Sequence, residues 1–120
     1  MAANIISIAF LSRDIAHKEH LKTSSYAQHM ALGDFYTGII CLTDQLAEAY
    51  QGRNGIIEDI PIKTIKNAKG SIVDKLQLLL DMIETARYSE IERDDTAIQN
   101  IVDEIVGLYL STLYKLKNLK

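Results

Sequence analysis

The sequence predicts an all-α domain built from four main helices, on three observations. Apolar residues recur at spacings of three and four through four separate stretches. The single proline and Gly52, Gly55 and Gly70 gather in one region between the second and third of these stretches. The composition, 48% hydrophobic and 24% charged over 120 residues, is that of one globular domain with enough chain to bury a core.

Ile5, Ile8, Leu11 and Ile15, flanked by Ala9 and Ala16, make the apolar stripe of a first helix that starts in the opening residues and ends near Lys22. Thr23-Ser24-Ser25 supplies a break and a cap for the second helix. That helix carries Ala27, Ala31, Phe35, Leu42, Leu46 and Ala49 as far as about Gln51. Gly52, Asn54, Gly55, Pro61 and Gly70 then mark the one long connection, with a short helix expected near Ile62 to Ala68. The third helix spans about Ser71 to Tyr88 on Val73, Leu76, Leu79, Leu80, Ile83 and Ala86, and the charged run Glu90 to Asp94 forms a turn.

Asp94, Asp95 or Thr96 caps the fourth helix. One of its faces holds Ile98, Ile101, Ile105, Leu108 and Thr112, and a second holds Val102, Val106, Tyr109 and Leu113. So wide a stripe implies two neighbours or another subunit. Gly107 costs about 1 kcal/mol against alanine inside a helix, which close approach of another backbone would justify and which a tolerated defect would also explain. Two short connections and one long crossover, between the second and third helices, are the plan of a ferritin-like bundle rather than a simple up-and-down one.

The net charge of −3 gives no long-range attraction to nucleic acid or to an anionic membrane. The lysines at 63, 66 and 69 and at 115, 117 and 120 read as solvated surface. Cys41 has no partner for an internal disulfide, and its place in Ile39-Ile40-Cys41-Leu42 suggests a small buried hydrophobe in a reducing, cytoplasmic compartment. Met1 to Phe10 has neither the basic start nor the length of a signal or a membrane span. The chain, 1–120, reads as one domain without a phosphate-binding loop, a Ser-His-Asp set, a Cys-x-x-Cys pair or a Glu-x-x-His motif.

All three histidines, His17, His20 and His29, fall around the first turn, a grouping that a metal site could use. At 100° per residue, His29, Gly33, Asp44 and Glu48 share one face of the second helix. Fifteen residues at about 1.5 Å each nevertheless place His29 some 22 Å from Asp44. One chain cannot bring both to one ion. A second copy running antiparallel across a two-fold axis would set the histidines of one beside the carboxylates of the other. His20 fits no such set and reads as a surface residue, and the six tyrosines read as packing groups.

The series His17, eleven residues, His29, fourteen residues, Asp44, three residues, Glu48 resembles the ferroxidase signature of the Dps family, the mini-ferritins that protect DNA during starvation. Phe35, the run Asp44-Gln45-Leu46-Ala47-Glu48, Asp95-Thr96, and the aromatic Tyr109 and Tyr114 are similar to that family as well. The resemblance implies a four-helix subunit of a hollow dodecamer, with iron bound at dimer interfaces by His17 and His29 of one copy and Asp44 and Glu48 of its mate, and oxidised by peroxide or oxygen. Gly33 stands where the family has an aspartate, and Lys18-Glu19 where it has Trp-Asn. The long loop is short for the family, and its lysine-rich extension is missing, so DNA binding by that route is not expected. The expectation is therefore an iron-binding homo-oligomer, open to other divalent first-row metals, with weak or absent ferroxidase turnover. The alternative is a non-catalytic helical oligomer, of a kind a viral genome could carry, that binds a partner protein or a small ligand.

Overall fold

The computed structural model describes residues 2–65 and 70–120, and these contain four helices and no strand. They are α1 (Ala3–Lys22), α2 (Tyr26–Asn54), α3 (Ile72–Glu90) and α4 (Thr96–Asn118). The 29 residues of α2 span about 43 Å at 1.5 Å per residue, which is the 43 Å long axis of the molecule. The expected short helix does not form over 62–65, which are irregular, and the remainder of it lies outside the described residues.

Each helix packs against two others, α1 on α2 and α3, and α4 on α2 and α3. Two long-range contacts fix the directions. Asn4 at the start of α1 meets Glu90 at the end of α3, and Arg53 at the end of α2 pairs with Asp95 at the start of α4, with 2.8 Å between charges. Every packed pair is therefore antiparallel, and α2 and α3 run parallel across a diagonal. Residues 55–71 must consequently travel the length of the bundle. At about 3.3 Å per residue this segment reaches well beyond the roughly 28 Å of α3. On the way it is anchored to α1 by a bond from the Ser7 hydroxyl to the Pro61 carbonyl (2.6 Å) and to α2 by the Ile57 amide donating to the Gln51 side chain (3.0 Å).

Helix ends are satisfied partly locally and partly from a distance. Ser25 caps α2 by accepting from the Gln28 amide, and Ser71 and Asp74 form a reciprocal capping box on α3. Gly70, at φ 113°, adopts a conformation that favours glycine, and a Cβ there would come within 2.7 Å of the Asp74 carboxylate. No side chain at Ala2 can cap α1, so the Glu90 carboxylate supplies the missing acceptor, taking the Asn4 and Ile5 amides at 3.1 and 3.3 Å. Asp95 precedes α4 but makes no side-chain capping bond, and its carboxylate pairs with Arg53.

The core joins Ile5, Ile8, Leu32, Phe35, Ile39, Leu46, Leu76, Leu79, Ile83, Val102, Ile105 and Tyr109. Both apolar faces of α4 are largely used within one chain, since α4 has two neighbours. Gly38 lets Leu108 approach α2, whereas Gly107 is exposed with nothing within 4 Å of a Cβ among the described residues, so no close backbone approach within the chain explains it. Cys41 is exposed rather than buried, because the register of α2 turns Ile39 and Leu46 inward and Cys41 outward.

At the centre of the core, Tyr109 stands edge-on to Phe35 and donates to the Ser12 hydroxyl at 2.5 Å, while Ser12 donates to the Ile8 carbonyl. Burial pushes the Tyr109 phenol well above its ordinary range, so it remains a hydrogen-bond donor. Replacing it by phenylalanine removes that donor, and Tyr109→Phe is expected to lose about 0.5–1.5 kcal/mol at neutral pH. The unfolded chain releases this proton near pH 10 and the folded one does not, so the stabilising contribution is whole below about pH 10 and is lost as pH rises towards the elevated folded value. Urea unfolding at pH 7 and at pH 11 checks both points, because the gap between wild type and variant should narrow at the higher pH.

Candidate functional site

The α1–α2 turn closes over a cluster of rings at one end of the bundle. His20, in the last turn of α1, and His29, in the first turns of α2, stack with centroids 3.7 Å apart and planes 17° from parallel. His17, one helical turn before His20, stacks on Tyr36 of α2 at 4.2 Å, and His20 meets the same tyrosine edge-on at 5.2 Å. The Arg13 guanidinium lies 5.9 Å from the Tyr36 ring. The periodicity of the two helices explains the grouping, because residues 13, 17 and 20 and residues 29, 33 and 36 lie on facing sides of an antiparallel pair.

Hydrogen bonding defines the chemistry of the two stacked rings. His20 Nδ1 lies 2.7 Å from the His29 carbonyl, and His29 Nδ1 lies 2.8 Å from the His20 carbonyl. A carbonyl oxygen only accepts, so both Nδ1 atoms carry protons. The His20 carbonyl is among the last four of α1, which lack partners within the helix, so His29 also caps α1. Side chains thus cross the turn in both directions, each bonded to the backbone of the other residue.

Gly33 lies beneath this pair. A Cβ at that position would come within 3.2 Å of His20 Cε1 and 3.4 Å of His20 Nδ1. The imidazole of His20 therefore fills the space that an aspartate at 33 would need. This corrects the sequence expectation that His20 is a plain surface residue: it is half-buried, bonded and stacked. Spacing to a carboxylate pattern gave no sign of it, although its place nine residues before His29 across a short turn was the available signal.

The structure brings His17 and His29 to one end of the bundle and leaves Asp44 and Glu48 exposed on the outer side of α2. Among the described residues no three histidine, cysteine or carboxylate side chains come close enough to hold a metal ion within one chain. The nearly parallel planes of His20 and His29 account for part of this, since ring nitrogens donate in the plane of the ring and two stacked planes do not converge on one ion. Lys63 of the crossover is half-buried, Lys66 and Lys69 lie outside the described residues, and Lys115 and Lys117 occupy the last turn of α4, where they complement the helix dipole.

A second polar constellation holds the opposite turn. Arg87 is buried and donates to the Gln99 side chain (2.9 Å), the Gln99 carbonyl (3.0 Å) and Asp103 (2.7 Å), and Gln99 donates back to the Arg87 carbonyl (3.2 Å) and to those of Ile91 and Glu92. None of these side-chain groups is left buried without a partner, which marks the constellation as a structural clasp.

Residues 20–116 match the model of a family of unknown function, DUF5856. The matched span begins at His20 and takes in His29, Gly33, Tyr36, Asp44 and Glu48. No curated protein and no solved structure matches the chain. No helix among the described residues is long and apolar enough to cross a membrane.

The packing of His20 on Gly33 makes a comparison of glycines informative. Gly107→Ala is expected to raise stability by about 1 kcal/mol, the intrinsic helical gain. The same change at Gly33 should yield clearly less, because the methyl group presses on the stacked ring. Urea denaturation of the two variants side by side measures the difference, and an equal gain at both positions would contradict the ring packing described.

Proposed function

The chain belongs to the DUF5856 family, whose function is unknown, and we propose that it is a ferritin-like, Dps-like subunit that pairs with a second copy and binds iron between them. The observation that carries this reading is the bonding of His29. With its Nδ1–H held by a carbonyl, a neutral His29 ring keeps its lone pair on Nε2, the arrangement in which imidazole serves as a metal ligand. His17 shares that end of the bundle, and the exposed Asp44 and Glu48 stand about 22 and about 28 Å from His29 along the same helix. An antiparallel mate would bring one copy's imidazoles to the other's carboxylates.

The donor set of two imidazoles and two carboxylates suits iron(II) and other divalent first-row ions. The bundle order, with antiparallel neighbours and one crossover along its length, supports a ferritin-like fold. Bound iron(II) would supply electrons to peroxide or oxygen. With His20 packed over Gly33, the place of a further carboxylate is taken, so we expect one ion to be held well, a second poorly, and oxidation to be slow.

A second reading is a non-catalytic helical oligomer that binds a partner protein or a small ligand, favoured by the structural employment of His20 and His29 and by the groove of about 460 Å³ that Phe10, Ile40, Pro61 and Ile62 line beside the crossover. The two readings separate in an anaerobic iron(II) titration with assembly mass measured on the same sample. Wild type is expected to bind iron saturably as a dimer or larger assembly, and both Asp44→Ala and the His29→Ala, Asp44→Ala double variant to lose that binding. Asp44 is exposed, so its single variant keeps the fold. Equally poor binding by wild type and variants would rule out the metal site and favour the second reading.

A further inference from the structure

We infer that His20 is a positioning residue for His29, holding that ring in the tautomer and orientation that keep Nε2 available as a ligand. The inference deepens the metal-binding reading and rests on it for the affinity it predicts. Three contacts carry it: the ring stack at 3.7 Å, the bond from His20 Nδ1 to the His29 carbonyl, and the seat of His20 on Gly33, where the lack of a Cβ lets the imidazole lie against α2.

The tautomer of a neutral histidine is set by the bond its other nitrogen makes. His29 Nδ1 reaches the His20 main-chain carbonyl, an acceptor that survives any change of the His20 side chain. What the side chain adds is confinement. Its ring covers one face of His29, and its own bond ties the last turn of α1 to the first turns of α2, so that the His29 ring and the carbonyl it caps stay in register. Removing the side chain uncovers that face and opens the space over Gly33, and the His29 ring becomes free to leave the carbonyl and to place its proton on Nε2. A proton there blocks coordination.

Outer partners of this kind typically contribute about 10- to 100-fold in metal affinity. Phenylalanine at 20 keeps a ring in the stack and loses the hydrogen bond, whereas alanine loses both, so the pair separates confinement by stacking from anchoring by the bond. Each variant is checked for folding by circular dichroism and thermal melting.

The experiment measures the His29 tautomer by nitrogen-15 NMR at pH 8, above the ordinary imidazole pKa of about 6.5, and titrates the same samples anaerobically with cobalt(II) as the metal alone. In wild type His29 is expected to carry its proton on Nδ1. In His20→Ala it should populate the Nε2–H form, with cobalt(II) binding weakened about 10- to 100-fold, and His20→Phe should fall between. A folded His20→Ala that keeps both the wild-type tautomer and the wild-type affinity overturns the proposal. If the tautomer shifts in His20→Ala while wild type binds no cobalt(II), the positioning of His29 stands and the metal-binding reading is the part that fails.

Discussion

The journey of the chain from α2 to α3 governs the rest of this molecule. The end of α2 lies with the start of α1 and the end of α3, as the Arg53–Asp95 and Asn4–Glu90 contacts establish, so residues 55–71 return along the whole bundle before α3 begins. That return makes every packed pair antiparallel, α1 with α2 and α3, and α4 with the same two. It also separates the two short turns to opposite ends. The histidines gather at one end and the Arg87–Gln99 clasp at the other.

Both turns solve the same problem with different side chains. A helix end leaves carbonyls or amides without partners, and a buried or half-buried group of this kind costs roughly 1–3 kcal/mol if nothing bonds to it. At the α1–α2 turn the His29 ring takes the His20 carbonyl, and at the α3–α4 turn the Gln99 side chain takes the carbonyls of Ile91 and Glu92. The start of α1 draws its acceptor from Glu90, 86 positions away. These bonds link turn geometry to chemistry, because a histidine committed through Nδ1 has only Nε2 left to offer. Structural and ligand roles are therefore compatible in one ring.

The four helices were legible because their apolar periodicity is local, and so was the grouping of His17 and His29 near the first turn. The wide stripe of Ile98, Val102, Ile105, Tyr109 and Leu113 left two neighbours or another subunit open, and within the chain α4 has two neighbours, α2 and α3. Cys41 was misread because a run of four apolar residues does not reveal its own phase, and a rotation of 100° per residue turns Ile39 inward and Cys41 outward. His20 was misread because its partners are a main-chain carbonyl and the bare backbone at Gly33, neither of which a side-chain pattern records.

By itself, then, the sequence determined the number of main helices, the cap offered by Thr23-Ser24-Ser25, the single long crossover and the 22 Å that separates His29 from Asp44, since each follows from short-range spacing and from helical rise. Only the tertiary structure decided that His20 stacks on His29, that Tyr36 joins them, that Glu90 caps α1 and that Tyr109 donates to Ser12. Those contacts depend on how separate helices are rotated and shifted against one another. That arrangement is chosen by the packing of the whole core rather than by any one segment.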